Sequence, residues 1–374
     1  MSDLLTTYDA WLSDDGPAAL VIREHLMPVE GRDGVLFPAT FAAGDNFAGG
    51  YNIDGAMEAE NICLIDTVGS QANRIEPIFA NPKYAALVPQ VVVTAGEGAN
   101  KKEYRLLEAG HRAGDALVRC SALQQELQTA FKELLKGNAE PLAKIAPTSL
   151  VFGVWDSRDT QAKLPRLVTS AIRAFNVRKL TRSAQFVPAA SYVEEGLLDE
   201  PPDKGAKDRY AERGFIHVPA SASHGGVIAN GGVRRDATLS LAALRLLKAG
   251  NDQGKTQALE RYILGLALTA FTHPSAFVGY LRQGCNLVLD PEKPREFVKV
   301  YPDGRREPAD VSHGSAVEYA QAAAKAFNVG RNRTVAFDKE RAKQDVAGDD
   351  DKKKRRGKKT GAGEAQTANE APTS

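Results

Sequence analysis

The chain has 374 residues, 43% of them hydrophobic and 25% charged, the balance of a globular protein with one large or two ordinary domains. No apolar run reaches the roughly 18 residues that span a bilayer, and the acidic start MSDLLTTYDAWLSDDG has neither the basic end nor the apolar core of a signal peptide. A formal net charge of +1 leaves any polyanion site to local clustering. Cys63, Cys120 and Cys285 are far apart and odd in number, so they suggest neither a disulfide framework nor a metal knuckle; they point to a reducing, cytoplasmic setting.

In chain order, residues 18–23 read as a first strand. Residues 31–55 follow as a long loop with six glycines. Residues 61–76 read as a helix whose Ser70, Gln71, Asn73 and Arg74 form a cluster of polar groups suited to phosphate and sugar contacts. Residues 90–94 and 102–107 read as a hairpin around a turn-rich connection. Leu117, Cys120, Leu123, Leu127, Ala130, Phe131 and Leu134 line one face of a helix over 113–135, which Gly137 stops.

The central stretch, 149–188, carries the strongest signal. Leu150–Trp155 is short, apolar and β-branched, which predicts a buried strand. Leu164, Val168, Ala171, Ile172 and Phe175 then recur at helical spacing, and Pro165 suits a first turn, which predicts a helix over 164–175. Its opposite face would carry Lys163, Arg166, Ser170 and Arg173, with Arg158 before it and Arg178, Lys179 and Arg182 after it. From Arg158 to Arg182 there are seven basic residues and one acid, Asp159. A one-sign face of this kind suits a phosphate backbone.

Residues 194–214 are charged and Pro-rich and read as an excursion. Residues 221–236 are Gly-rich and end in Arg234, Arg235 and Asp236, with Asp236 placed to cap a helix over 237–248. Such a loop before a helix can cradle phosphate, although the P-loop and dinucleotide fingerprints are absent. Residues 262–271 are an apolar element, 285–289 and 296–300 read as strands, and 315–327 as a final helix. From Lys339 the chain loses its apolar residues, which predicts a disordered tail over 339–374; seven of the eight residues 352–359 are basic.

No catalytic or metal-binding set emerges. The six histidines lie in separate segments without ligand spacing. His224, in the Gly-rich loop, and Asp45 and Asp54, in the early loop, are the candidates an enzyme would need. The expectation is a binding protein rather than an enzyme, with no cofactor and no metal.

Four segments together carry a resemblance. CLIDTVGSQANRIEP (63–77), SLVFGVWDSRDTQAKLPRLVTSAIRAFNV (149–177), LTRSAQFVPA (180–189) and GGVRRDATLSLAALRLL (231–247) resemble the backbone subunit of type I-G (formerly I-U) CRISPR effector complexes, a member of the RAMP superfamily. The resemblance runs from about Leu20 to Phe327. It implies an α+β hand: an RRM-like, ferredoxin-like antiparallel palm over 1–338 with finger insertions and a thumb, here expected at 192–232, with the 31–55 loop as the other candidate. It also implies partners: a CRISPR RNA, target DNA recognised through guide pairing, copies of the chain in a head-to-tail array, and other effector subunits, with no membrane. On position and charge, the RNA contacts would come from Ser70, Gln71, Asn73, Arg74, Arg158, Lys163, Arg166, Arg173, Arg178, Lys179, Arg182, Arg234 and Arg235. Two other readings stay open: a backbone subunit that also cleaves target RNA through Asp45 or Asp54, and a phosphate-ligand enzyme using the loop 221–235.

Overall fold

A computed structural model describes residues 2–347 apart from 56, 57, 59 and 274–278. Its centre is β1 (Ala19–Pro28), where burial alternates at every residue. Leu20, Ile22, Glu24 and Leu26 face inward, and Val21, Arg23, His25 and Met27 face outward. The other strands of the sheet are β2 (Ile62–Asp66), β5 (Val168–Phe175), β8 (Val233–Ser240), β9 (Cys285–Leu289) and β10 (Glu296–Val300). On one side β1 pairs with β8, then β8 with β5 and β5 with β2; on the other side it pairs with β9 and β10. Every neighbour is antiparallel, and the sheet curls.

Among the described residues, helices cover the inner face only. Helix α1 (Val68–Ile75) packs on β5, and α3 (Gln253–Thr272) packs on β8 with α4 (His313–Phe327) behind it. Asp252 and Ser312 accept backbone N–H bonds that cap α3 and α4 at 2.9 and 3.0 Å. From Tyr262 to Thr272 every residue of α3 is buried. The two helices touch so closely that a Cβ on Gly265 would lie 2.8 Å from Ala320 Cα. Alanine at 265 gains about 1 kcal/mol of helix propensity but meets backbone that cannot swing away, and overpacking costs about 1–3 kcal/mol. Gly265→Ala is therefore expected to destabilise the fold, read as a lower denaturant midpoint.

A smaller core packs α2 (Gln124–Leu135) against β3 (Val91–Ala95), which pairs antiparallel with β4 (Lys102–Arg105) and parallel with β11 (Arg333–Ala336). The expected hairpin and the strands after residue 285 are present. The expected helix over 113–135 is interrupted after Arg119 and resumes at Gln124. The chain remains helical over 339–347, where Arg119 pairs with Asp345 at 2.5 Å. The rest of the expected tail, including the basic run 352–359, lies outside the described residues.

The expected helix over 61–76 is instead strand β2 followed by α1, which begins only at Val68 with Thr67 as its cap. Three further expectations are overturned. The helix over 164–175 is strand β5. Val168, Thr169 and Ile172 are β-branched and favour the pleated surface, and positions 168, 170, 172 and 174 are all buried. Ser170 therefore points inward instead of sharing a face with Arg173. The expected strand at 150–155 is mostly a buried helical turn, Thr148–Phe152, which ends at Gly153 with φ 80°. A short apolar run cannot be assigned by periodicity alone.

The third correction concerns 221–236, which is no phosphate loop. It belongs to two strands, β7 (Val218–Ala229) and β8, and β7 forms a long ribbon with β6 (Val177–Phe186). The glycines permit close approach there: a Cβ on Gly225 would lie 2.7 Å from the Thr181 backbone, and one on Gly226 2.8 Å from Leu36 O. Asp236 sits mid-strand. The helix that follows is short, Leu241–Leu244, and is capped by Ser240.

Candidate nucleic-acid interface

The outer face of the sheet has no helix over it among the described residues, and its side chains follow from the register. Arg173 on β5 stands opposite Arg234 on β8, and Arg234 opposite His25 on β1. The next row places Ala171, Asp236 and Arg23 in line. Asp236 accepts from Arg234 Nε at 2.9 Å and from Arg23 Nε at 3.3 Å. The Arg234 guanidinium also lies 4.6 Å from the Phe175 ring centroid. Arg173 makes no ion pair among the described residues.

His25 reports the local field. Burial pulls its pKa below the ordinary value, and Lys293, Arg234 and Arg23 push the same way against a smaller opposing effect of Asp290. A cleft of about 310 Å³ continues this end of the face, lined by Met27, Arg32, the turn 230–232 and Lys293.

The β6–β7 ribbon leaves the sheet just past Phe175, through Asn176 in the left-handed region at φ 49°. Arg178, Lys179 and Arg182 of β6 are exposed, and Arg182 lies 5.7 Å from the Phe37 ring centroid. The 31–55 loop is fastened to the ribbon base. Leu36 and Val227 exchange backbone bonds of 2.9 and 2.7 Å, and Gly226 N–H donates to Tyr51 Oη at 3.1 Å. His224 stands edge-on to Tyr51, ring centroids 4.8 Å apart, and closely over Gly50. The stretch 192–232 expected to be the thumb contains the second ribbon strand β7 and, in the connection before it, a helix, Lys204–Glu212. Asp45 and Asp54 are both exposed.

Other residues expected at the interface are engaged by the fold itself: Gln71 and Arg235 are buried, while Ser70 is half-buried and Arg74 exposed. Asp66, buried at the end of β2, accepts from Ser70 Oγ at 2.8 Å, Gln71 Nε2 at 2.7 Å, Arg74 Nε at 3.2 Å and Arg282 at 3.0 Å. Ser70, Gln71 and Arg74, expected to offer donors to RNA, instead satisfy a buried carboxylate. Gln71 in turn accepts from Ser170 Oγ at 2.9 Å, Ser170 accepts from Arg235 Nε at 2.9 Å, and Arg235 Nη1 binds Glu24 at 2.6 Å. Arg235 and Gln71 are therefore not surface groups: they belong to a polar chain beneath the sheet that joins β2, β5, β8 and β1. Asn73 is exposed and accepts from Arg112 at 3.4 Å.

Arg158, Lys163 and Arg166 are exposed but stand apart, around a small hairpin made by Val154–Trp155 and Lys163–Leu164. The sequence reading missed Arg23, His25 and Phe175. Their signal was the strict alternation of β1 and the odd positions of β5.

Residues 20–179, which hold β1, β2, α1, β5 and the start of the ribbon, match the family model of CRISPR-associated protein GSU0053 (Cas_GSU0053). The match supports a CRISPR-associated protein. It includes His25, Arg173, Arg178 and Lys179, while Arg234 and β8 lie beyond it. Comparison with curated proteins found no match. No described helix is long and apolar enough to cross a membrane.

Proposed function

We propose that this chain is a CRISPR RNA-binding backbone subunit, of the type I-G RAMP kind, that lines up head to tail along a guide RNA. The observation that carries this reading is the cross-strand row His25–Arg234–Arg173 on an uncovered sheet face, with Phe175 beside it and a cation-bearing ribbon rising from its edge. A strip of cations beside an aromatic ring suits a single-stranded backbone bound without regard to sequence. The strand order supports an RRM-like palm. Counting β1, β5, β8 and the β9/β10 edge as strands 1 to 4, the order is 4-1-3-2, with helices after strand 1 and between strands 3 and 4. The β6–β7 ribbon, inserted between strands 2 and 3, would be the thumb. The subunit would read RNA backbone while guide pairing reads target DNA, and its role would be binding rather than catalysis. Native mass spectrometry of the full chain with a CRISPR RNA is expected to show several copies per RNA; a strict one-to-one complex would overturn the array.

The histidine adds a pH signature. In the free protein His25 is held below its ordinary pKa, so it is mostly neutral at pH 7. A phosphate over the row favours the charged form and raises that pKa. Binding then takes up a proton, and RNA affinity is expected to rise several-fold between about pH 7.5 and 5.5, since each unit of pKa difference is worth about tenfold. His25→Gln should flatten the profile.

A further inference from the structure

We propose that the hairpin bearing Trp155 is a second single-stranded nucleic-acid site, where a base stacks on the indole and Lys163 and Arg166 hold the flanking phosphates. The ligand class rests on the nucleic-acid reading above, whereas the location stands on its own geometry. Trp155 is 55% exposed, although the neighbouring Val154 is buried. Its backbone is clamped: a Cβ on Gly114 would lie 2.7 Å from Trp155 O. The strand is thus fixed while a large aromatic side chain stands in water, an arrangement that packing does not require.

The turn behind the ring is rigid. Buried Asp156 accepts from Thr160 N at 2.8 Å and Thr160 Oγ1 at 2.6 Å, and Asp156 N–H donates to Ala162 O at 2.9 Å. This cross-linking places Lys163 directly opposite Trp155, with its ammonium 5.4 Å from the ring centroid. Asp156 is thereby consumed. The segment's other acid, Asp159, lines a small hollow with Arg119, Gln124 and Gln128. Lys163 and Arg166 make no ion pair among the described residues. A fixed aromatic plane with Lys163 over it and Arg166 a few residues further along the chain is complementary to a base and its phosphates.

The site is distinct from the sheet face. Arg166 Nη2 lies 3.9 Å from the Cβ position of Gly69 in α1, on the helix-covered side of the sheet. Arg166 and Arg173 stand near opposite ends of β5, roughly 23 Å apart at about 3.3 Å per residue. A strand held by the outer face therefore does not cover Trp155 in the same few nucleotides.

The chain has two tryptophans, Trp11 and Trp155, so Trp11→Phe leaves Trp155 as the only indole reporter. The full-length variant is titrated with oligo(rU), with oligo(dT), and with polyphosphate as a charge-only control. Saturable quenching by either oligonucleotide, without matching quenching by polyphosphate, is the expected result, and the relative strength of the two arms identifies the preferred sugar. Adding Lys163→Glu and Arg166→Glu should weaken the quenching midpoint at 0.1 M salt by about 25-fold or more, since two cations contribute a salt slope of about 1.4. Adding Arg173→Glu and Arg178→Glu instead should leave that midpoint in place while guide binding falls. Absence of quenching, or quenching equally strong with polyphosphate, overturns the Trp155 site and leaves the sheet-face reading untouched. Loss of quenching in the Arg173/Arg178 variant overturns its independence.

Discussion

Arg173→Glu combined with Arg178→Glu is expected to weaken guide-RNA binding at 0.1 M salt by about 25-fold relative to the high-salt limit, and by more once repulsion from the new acids is added. Each cation removed lowers the slope of log affinity against log salt by roughly 0.7 for a single strand, so the pair removes about 1.4. The fold should survive. Arg173 has no ion pair among the described residues to lose, and a glutamate there would face Arg234 across the strands, a favourable cross-strand pair. That pairing also draws Arg234 away from RNA, which adds to the loss. Affinity measured over a salt series, with a thermal melt as control, decides the matter: normal melting with undiminished binding would remove the sheet face as the RNA platform.

Arg235→Met should do the opposite, harming the fold first. Arg235 and Glu24 have side chains only 1% exposed each, at 2.6 Å. Burial disfavours the charged form of Arg235, and the Glu24 carboxylate opposes that. Removing one partner of a buried pair costs about 3–5 kcal/mol, which at about 2–4 °C per kcal/mol lowers the melting point by roughly 6–20 °C. The loss is softened because Arg295 also reaches Glu24, at 2.9 Å. Replacing both partners, Glu24→Leu with Arg235→Met, should recover most of it, because no buried charge is then left alone. If the single variant melts within a degree or two of the natural protein, the pair is not the anchor described here.

The contrast between Arg173 and Arg235 shows how far the sequence could be read. Elements with one dominant period were legible: β1, the β3–β4 hairpin, β9, β10 and α4. The segment 164–175 was not. Leu164, Val168, Ala171, Ile172 and Phe175 fit a helical stripe, and only the β-branched content and the partners supplied by β2 and β8 favour a strand. That single error of period moved Ser170 to the wrong side. The basic character of the region survived the error, because Arg173, Arg178, Lys179 and Arg182 remain on the outer face or the ribbon. Gln71 and Arg235 failed for another reason. A sequence lists donors and acceptors but not which of them find each other inside, and Asp66 and Glu24 were the partners that decided it. His25 and Phe175 went unnoticed because single residues of either type are common, and only the cross-strand register sets them beside Arg234.

The polar chain from Asp66 through Gln71, Ser170 and Arg235 to Glu24 works as a ruler. A sheet held only by apolar contacts can slip by two residues and still bury carbon against carbon. Here such a slip would leave a carboxylate at each end and a guanidinium between them without partners, all in a dry interior. The relative stagger of β1, β8, β5 and β2 is thereby fixed, and with it the pitch of Arg173, Arg234 and His25 on the other side. Copies of the chain laid end to end would then offer the same spacing of charge each time, a measured track whose gauge is set from underneath.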